Sequence, residues 1–251
     1  MLNIVIPMAG LGSRFANVGY KDPKPLIPVG GVPMIQVVIN NLKPRFHHRF
    51  IFVCQRKHVA EYGLSDKFAR WAPGSSLVET DGVTEGAACT VLLAEHLIDN
   101  DDALMIANSD QYIDYPVDEY LSQMETRGLD GLIMTMKADD PKWSFVDLRD
   151  GLVTRVVEKE VISDEATVGI YNFRKGRDFV RAAKDMITDN LRTNNEFYVA
   201  PTYNQLIQSG AQVGVCNIGR EADGMYGLGT PADLDLFLTL PVLQRATAEL
   251  K

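Results

Sequence analysis

Short apolar runs alternate with helical patterns along this chain, and this alternation restricts its fold more than any other feature. Four runs have the length and composition of strands: Ile4–Ile6, Phe50–Val53, Ala103–Ala107 and Leu132–Met136. Continuous apolar runs of this length are typical of strands that are buried on both faces of a sheet. Between the runs, apolar residues recur at helical spacing, as at Ile35, Val38, Ile39 and Leu42. The pattern predicts an α/β fold, with a mixed, mainly parallel sheet that carries helices on both faces.

The composition is that of an ordinary soluble globular protein and excludes several classes. Hydrophobic residues make up 46% and charged residues 23% of the 251 residues, so a disordered or fibrous chain is excluded. The formal net charge of −8 disfavours nucleic acid and an anionic membrane surface as partners. No apolar run approaches the ~20 residues of a membrane span, and the N-terminus does not have the pattern of a signal peptide. We therefore expect a cytoplasmic protein.

A glycine-rich segment follows the first predicted strand directly. It reads Met8-Ala9-Gly10-Leu11-Gly12-Ser13-Arg14, and Lys24 follows ten residues later between two prolines. Glycines allow backbone N–H groups to approach phosphate oxygens, and the prolines restrict the backbone that presents Lys24. Two cations, Arg14 and Lys24, beside such a loop suit a triphosphate. The alternative interpretation is a solvated basic loop.

The motifs Met-Ala-Gly-x-Gly-Ser-Arg, Pro-Lys-Pro-Leu and Gly-x-Pro-Met, all within the first 35 residues, resemble those of the sugar-phosphate nucleotidyltransferases. The resemblance implies a GT-A-like Rossmann fold. It is greatest to the short nucleotidyltransferases of capsule and surface polysaccharide synthesis, which include cytidylyltransferases. It implies that the nucleotide binds at Ala9, Gly10, Gly12 and Ser13. It further implies that Arg14 and Lys24 are catalytic and bind the β- and γ-phosphates.

The segment from Asp81 to Ala88 corresponds to the base-binding loop of that family. The resemblance assigns Gly86 and Ala88 to base recognition. The family often has Gln before this glycine, whereas this chain has Glu85. Because a carboxylate can accept a hydrogen bond from the N4 amine of cytosine, Glu85 favours CTP over UTP and dTTP. The alternative is an ordinary helix N-terminus capped by Thr84.

Asp110 follows the apolar run Ala103–Ala107, at what would be the carboxyl end of a strand. Ligands of open α/β sheets bind at such ends, and Mg²⁺ takes one or two carboxylates together with substrate phosphates. The resemblance assigns the metal to this aspartate, so we expect Asp110 to bind Mg²⁺, for which Mn²⁺ can substitute. A helix-capping role for Asp110 is the alternative.

Two strand-like runs, 144–148 and 152–157, flank Arg149-Asp150-Gly151, and Asp-Gly between such runs predicts a β-hairpin. An inserted hairpin would form a wall of an acceptor pocket. We accordingly expect one domain, residues 1–251, with a nucleotide-binding half at about 1–115 and an acceptor-binding half at about 116–251.

Three residues are expected to serve the acceptor. The resemblance assigns Glu158 to the acceptor and Lys159, as a third catalytic residue, to its phosphate, with a solvated ion pair as the alternative. Glu196, in a segment that we read as the start of a helix, is a further acceptor contact or a simple helix residue. Lys142 beside Trp143 either lines the same pocket or is an exposed lysine next to a packed tryptophan.

One position departs from the family pattern. Many members have Asp where this chain has Gly227, so the usual second metal ligand is missing. Asp223 is close enough in sequence to replace it.

The sequence therefore predicts transfer of a nucleotidyl group from a nucleoside triphosphate, with a pyrimidine favoured, to a small phosphorylated acceptor, with release of pyrophosphate. The alternatives are a glycosyltransferase of the GT-A type, which usually needs an Asp-x-Asp motif where this chain has Asn108-Ser109-Asp110, and an inert nucleotide-sensing module. The sequence does not determine the oligomeric state.

Overall fold

The computed structural model describes residues 1–250 and contains one large sheet of eleven strands. The strands are β1 (Leu2–Met8), β4 (His48–Gln55), β5 (Ser76–Thr80), β6 (Ala103–Ala107), β7 (Gln111–Ile113), β8 (Gly131–Lys137), β9 (Ser144–Arg149), β10 (Leu152–Glu158), β11 (Glu165–Phe173), β12 (Val213–Glu221) and β13 (Gly224–Gly227). The two-residue strands β2 (Pro28–Val29) and β3 (Val32–Pro33) form a separate small ribbon.

Eleven α-helices accompany the strands in the described part of the chain. They are α1 (Ser13–Ala16), α2 (Met34–Leu42), α3 (Arg56–Tyr62), α4 (Leu64–Trp71), α5 (Ala87–Leu92), α6 (Glu95–Ile98), α7 (Val117–Thr126), α8 (Gly176–Thr188), α9 (Thr202–Gln208), α10 (Pro231–Thr239) and α11 (Val242–Thr247). A short 3₁₀ helix covers Lys24–Leu26. No helix within residues 1–250 is both long enough and apolar enough to cross a membrane.

The helices cover both faces of the sheet, as the sequence predicted. Successive residues of β1 belong to opposite faces: Ile4 and Ile6 pack in one apolar cluster and Val5 in the other. The first cluster includes side chains of α2, α4 and α7, and the second includes side chains of α5, α8 and α9. Burial on both faces explains why these strands are continuous apolar runs rather than alternating ones.

The sheet is less parallel than the sequence suggested. Strands β5, β4, β1 and β6 are parallel neighbours, but β11 runs antiparallel to β6, β8 and β9. The expectation of a mixed sheet therefore holds, but that of a mainly parallel sheet is wrong beyond β6. There β12 runs parallel to β8 and β13, whereas the other pairings are antiparallel. Periodicity indicates which residues form strands, whereas strand direction depends on which strands pair.

The hairpin lies where the sequence predicted it. Strands β9 and β10 pair antiparallel, and Asp150 and Gly151 form the two-residue turn with φ values of 53° and 79°. Positive φ at both turn positions matches the twist of antiparallel strands, which is why Asp-Gly is favoured there. The boundary near residue 115 stays a prediction.

Candidate functional site

A cleft of about 530 Å³ opens at the carboxyl ends of β1 and β6. These two strands are parallel neighbours, with Val5 beside Ile106, so the segments that follow them leave the sheet side by side. The residues lining the cleft are Pro7, Met8, Ala9, Gly10, Leu11, Gly12, Ser13, Lys24, Pro25, Val83, Thr84, Gly86, Ala87, Thr90, Asn108, Ser109, Asp110 and Glu196. Most of the predicted nucleotide-binding residues therefore lie together.

The glycine-rich segment packs directly against the backbone that carries Lys24. Gly12 has φ +62°, and a Cβ at this position would lie 3.3 Å from the Cβ of Lys24. A side chain at residue 12 would therefore be both strained and crowded. The Lys24 backbone lies in the 3₁₀ helix, which begins after Pro23 and has Pro25 as its second residue. Glycine thus allows the loop and the lysine to occupy the same end of the cleft.

Lys24 and Asp110 form an ion pair inside the cleft. The Lys24 Nζ donates to Asp110 Oδ2 at 2.7 Å, and the two side chains are 26% and 22% exposed. The sequence placed both residues in one site but did not predict this contact. Gly229 also packs against this carboxylate, since a Cβ at residue 229 would lie 2.6 Å from Asp110 Oδ2.

Asp110 lies three residues beyond the end of β6 and lines the cleft. The next element is strand β7 rather than a helix, so Asp110 caps no helix. Within residues 1–250 no group of three or more His, Cys, Asp or Glu side chains is arranged to hold a metal. One carboxylate together with phosphate oxygens is a donor set that Mg²⁺ accepts, so the residues fit a site completed by the nucleotide.

The region around Gly227 contains a carboxylate that the sequence analysis missed. A Cβ at residue 227 would lie 3.6 Å from Oδ2 of Asp233, in the first turn of α10. Asp223, the substitute suggested by the sequence, is exposed in the turn between β12 and β13. Asp233 was missed because its closeness to Gly227 depends on how α10 folds back on β13.

Besides Lys159, three predicted nucleotide-binding or catalytic residues lie outside the cleft lining. Arg14 is exposed on the short helix α1. Ala88, the second residue of α5, is fully buried and packs with Phe197. The Glu85 side chain is 67% exposed, and its carboxylate pairs with Arg192 at 3.3 Å.

We call residues 81–88 the base loop and residues 192–198 the acceptor segment. In the base loop, the Thr84 hydroxyl donates to the carbonyl oxygen of Gly86 at 2.9 Å and lies 2.6 Å from the Thr90 hydroxyl. Thr84 does not cap α5, which begins after Gly86 without a side-chain cap. Thr84 and Thr90 therefore bring two hydroxyls into the lining of the cleft, and the sequence analysis had assigned neither of them to nucleotide binding.

A second cavity of about 220 Å³ lies between β10 and the acceptor segment. Its lining residues are Val156, Val157, Glu158, Leu191, Arg192, Thr193, Glu196, Tyr198 and Pro201. Glu196 lines both this cavity and the first cleft, so the two adjoin. The prediction that Glu196 begins a helix is wrong: α9 begins at Thr202, and the backbone at Asn194 and Asn195 has positive φ.

Glu158 lines the second cavity, whereas Lys159 does not. Glu158 ends β10, is 9% exposed and accepts a hydrogen bond from the Ser144 hydroxyl. Burial raises the pKa of the Glu158 carboxyl above its usual range, and the Ser144 hydrogen bond opposes the shift. Lys159 does not line the cavity; its Nζ donates to the Tyr198 hydroxyl at 2.6 Å, a bond that raises the pKa of the lysine.

Lys142 lies away from the lining of both cavities. Its Nζ contacts Glu221 Oε1 at 2.9 Å, and the ammonium lies 4.9 Å from the centre of the Trp143 ring. The side chain is 46% exposed, as expected for a surface lysine beside a packed tryptophan. Tyr198 and Arg192 are two polar residues of the second cavity to which the sequence analysis gave no role, because neither belongs to a motif.

Comparisons with known proteins agree on one family. The family model described as "Nucleotidyl transferase" matches residues 4–213. Mannose-1-phosphate guanyltransferase of Candida albicans is 28% identical over 184 residues, which cover 66% of this chain and 48% of that protein. The catalytic subunit beta of mannose-1-phosphate guanylyltransferase of Xenopus tropicalis is 25% identical over 178 residues, covering 68% and 49% respectively. The chain thus spans about half the length of these relatives.

Solved structures share the fold over almost the whole chain. A nucleoside-diphosphate-sugar pyrophosphorylase from Vibrio cholerae RC9 superposes with a TM-score of 0.79 at 24% identity, covering 94% of this chain and all of that one. An inositol-1-phosphate CTP transferase from T. maritima superposes with a TM-score of 0.74 at 15% identity, covering 100% and 97%. Since the family model spans most of the sequence and the cleft carries the family's motifs, the chain belongs to the nucleotidyl transferase family.

Proposed function

We propose that this protein transfers a nucleotidyl group from a nucleoside triphosphate to a small phosphorylated acceptor such as a sugar phosphate, with release of pyrophosphate. The observation that carries the proposal is the Lys24–Asp110 pair beside the glycine-rich loop, in a cleft that adjoins a second cavity. Synthesis of surface polysaccharide precursors is the proposed setting, from the resemblance to short members of the family.

The proposed reaction is an in-line displacement at phosphorus. An oxygen of the acceptor phosphate attacks the α-phosphorus and forms the new P–O bond. The bond from the α-phosphorus to its bridging oxygen breaks, and pyrophosphate leaves with the electron pair. Because the second pKa of a phosphomonoester is about 6, the attacking group is already largely dianionic at neutral pH and needs no general base.

Catalysis then depends on orientation and on stabilisation of negative charge. Backbone N–H groups of the segment from Ala9 to Ser13 bind the triphosphate, and Lys24 stabilises the charge that develops on the leaving group. Asp110 would hold Mg²⁺, which neutralises phosphate charge when bound. Arg14 lies on the exposed side of the same loop and contributes long-range positive charge.

The acceptor is proposed to bind in the second cavity. Glu158 and Glu196 supply carboxylate oxygens there that accept hydrogen bonds from hydroxyl groups. Lys159, held by Tyr198, lies at the edge of the cavity and attracts the acceptor phosphate. Positive charge at this point offsets the repulsion between the two anionic substrates.

The identity of the nucleotide base is the most specific part of the proposal. The expectation of a pyrimidine depended on a Glu85 carboxylate free to meet the base, and that carboxylate pairs with Arg192. Eight sequence relatives carry the name of a mannose-1-phosphate guanyltransferase or guanylyltransferase, so GTP is tested on equal terms with CTP. If Glu85 reads the base, Glu85→Gln changes the CTP-to-UTP ratio of kcat/KM.

The test of the function is pyrophosphate release. CTP, UTP, dTTP, ATP and GTP are each supplied with and without sugar 1-phosphates and other small phosphates, and the proposal requires release only when an acceptor is present. Consumption of a nucleotide sugar with transfer of its sugar would instead indicate a glycosyltransferase. Nucleotide binding without any turnover would indicate a sensing module.

A pair of variants tests the role of Lys24. Lys24→Ala is expected to lower turnover by ~10²–10³, the usual cost of losing one preorganised contact to developing charge. Lys21→Ala, at an exposed lysine near the same loop, is the control and should retain activity. Turnover of Lys24→Ala within threefold of wild type would contradict the assignment.

A further inference from the structure

The side chain of Asn108 lies directly over Gly169. Asn108 follows β6 and lines the first cleft, and its N–H donates to the carbonyl of Gly169 in the neighbouring strand β11 at 3.0 Å. A Cβ at residue 169 would lie 2.7 Å from the Asn108 Cγ and closer still to its Nδ2. The Asn108 carboxamide therefore occupies the space that a side chain at residue 169 would take.

Gly169 lies within β11 at a point where the strand is irregular. Its φ is +79°, in the left-handed region, and the register of β11 against β8 shifts between Thr167 and Tyr171. All nine residues of β11 are buried. Glycine inside a strand often marks a bulge or a close approach, because it accepts positive φ and leaves room above its Cα. The irregularity in β11 thus makes the space that holds Asn108.

Gln111 borders the same space. It is 3% exposed, and its Oε1 would lie 3.0 Å from the Cβ at residue 169. Its Nε2 is buried and has no hydrogen-bond partner within residues 1–250. Because Gln111 is buried whereas Asn108 is exposed, a methyl group at residue 169 would displace Asn108 toward the cleft rather than Gln111. The position of the Asn108 carboxamide therefore depends on a glycine at residue 169.

The strand order places Asn108 between the two groups of candidate residues. The sheet runs β1, β6, β11, β9 and β10 in that order. Asp110 lies just beyond β6 on one side of β11, and Glu158 of β10 pairs with Ser144 of β9 on the other. Asn108 covers β11 between them. An acceptor bound at Glu158 therefore brings its phosphate close to Asn108 when that phosphate reaches a nucleotide held beside Asp110.

We propose that the Asn108 carboxamide donates a hydrogen bond to the phosphate of the acceptor and is a further catalytic residue, and that Gly169 is the position that holds it there. The inference rests on the proposed function, because it takes the acceptor phosphate as the attacking group. No bond to Asn108 forms or breaks in the reaction. Its amide orients the phosphate for attack on the α-phosphorus.

A neutral donor suits this position. A carboxamide has two N–H donors, and a hydrogen bond from it to an anionic oxygen is stronger than one between neutral groups. A lysine or arginine here would be close enough to the Asp110 carboxylate to compete with Lys24 for it. Loss of a hydrogen bond to a charged group lowers binding or rate by ~10–150-fold, which sets the size of the effect that we expect.

Pyrophosphate release by Asn108→Ala tests the contact. The acceptors are the sugar 1-phosphates and other small phosphates with which wild type releases pyrophosphate. For each of them kcat/KM should fall by a similar factor, ~10–150-fold, because the phosphate is the part that they share. Nucleotide affinity measured without acceptor should stay within about threefold of wild type. An equal loss of nucleotide affinity, or a loss confined to some acceptors, overturns the contact with the acceptor phosphate.

Asn108→Leu separates hydrogen bonding from the filling of space. Leucine covers Gly169 as asparagine does but donates no hydrogen bond, so we expect this variant to be impaired as much as Asn108→Ala. Asn17→Ala, at an exposed asparagine outside the cleft lining, is the control and should keep wild-type activity. Activity of Asn108→Leu within threefold of wild type would leave Asn108 with a packing role only and would overturn the proposal.

Gly169→Ala tests the placement of Asn108 through a double-mutant cycle. The variant should lose nearly as much activity as Asn108→Ala, and the double variant should lose no more than either one. Gly74→Ala is the matched control for backbone strain, because Gly74 has φ +80° and a Cβ there meets nothing within 4 Å. Both glycine variants should lower Tm by only a few degrees. If the losses of the two single variants multiply in the double variant, Gly169 does not act through Asn108.

Failure of this inference is distinguishable from failure of the proposed function. If wild type releases no pyrophosphate with any acceptor, the proposed function is overturned and this inference with it. If wild type releases pyrophosphate and Asn108→Ala retains that activity within threefold, the inference alone is overturned and the proposed function stands.

Discussion

Replacing Gly86 with alanine tests how closely the base loop packs on the acceptor segment. The new Cβ would lie 2.5 Å from the oxygen, 2.6 Å from the nitrogen and 2.9 Å from the carbon of the Phe197 backbone. All three atoms belong to main chain that is already hydrogen-bonded to the base loop. The clash can therefore be relieved only by moving one of the two segments.

Two unfavourable contributions lower the free energy of unfolding of Gly86→Ala. A φ of +126° with ψ of 174° lies in a region essentially restricted to glycine, and holding alanine there costs ~1–3 kcal/mol. Forcing extra atoms into a packed interior costs ~1–3 kcal/mol more. Reduced entropy of the unfolded chain offsets ~0.4–1 kcal/mol of this. We expect a net loss of ~2–5 kcal/mol in the free energy of unfolding, from a total of ~5–15 kcal/mol.

Thermal and urea unfolding measure this loss. For a domain of this size, ~1 kcal/mol shifts Tm by ~2–4 °C, so Gly86→Ala should lower Tm by roughly 5–20 °C. Gly82→Ala is the matched control in the same loop, because a Cβ at residue 82 meets nothing within 4 Å. The control should be neutral or slightly stabilising. A loss of less than about 1 kcal/mol for Gly86→Ala relative to Gly82→Ala would refute the close contact.

Three further predictions concern the cleft, the buried carboxyl and the thiols. In Gly229→Ala the new Cβ would lie 2.6 Å from Asp110 Oδ2 and should displace that carboxylate. Pyrophosphate release should fall at least tenfold, while Tm falls by only a few degrees. Unchanged activity would contradict this prediction. Burial raises the pKa of Glu158, so the folded protein keeps this carboxyl protonated at higher pH than the unfolded chain does. The free energy of unfolding therefore falls as the pH rises above 4.5, the usual pKa of a glutamate. Urea unfolding should therefore show Glu158→Gln gaining stability relative to wild type from pH 4 to pH 7, and a pH-independent difference would contradict the shift. Burial raises the pKa of Cys54 to about 12, so a thiol reagent should modify the partly exposed Cys89 first, as read by mass spectrometry of the native protein.

The sequence determined the class of fold and proposed the residues at the centre of the candidate site. Apolar runs without alternation predicted strands covered on both faces, because a strand buried on two sides has no polar face. The glycine-rich segment and Asp110 were recognisable because each follows a predicted strand, and Lys24 because it lies between two prolines. Parallel strands end at the same edge of a sheet, so these motifs meet wherever the strands pair.

Tertiary structure decided what depends on residues distant in sequence. The antiparallel course of β11 and the ion pair between Lys24 and Asp110 depend on which strands become neighbours. The same is true of the Glu85–Arg192 pair, which turns a candidate base-reading carboxylate toward the acceptor segment. Local patterns record the conformation of a few successive residues, whereas these contacts arise only when the packing of the whole chain brings distant segments together. For that reason the sequence proposed candidate residues for both sites, and only the fold showed that residues 81–88 and 192–198 meet at Phe197.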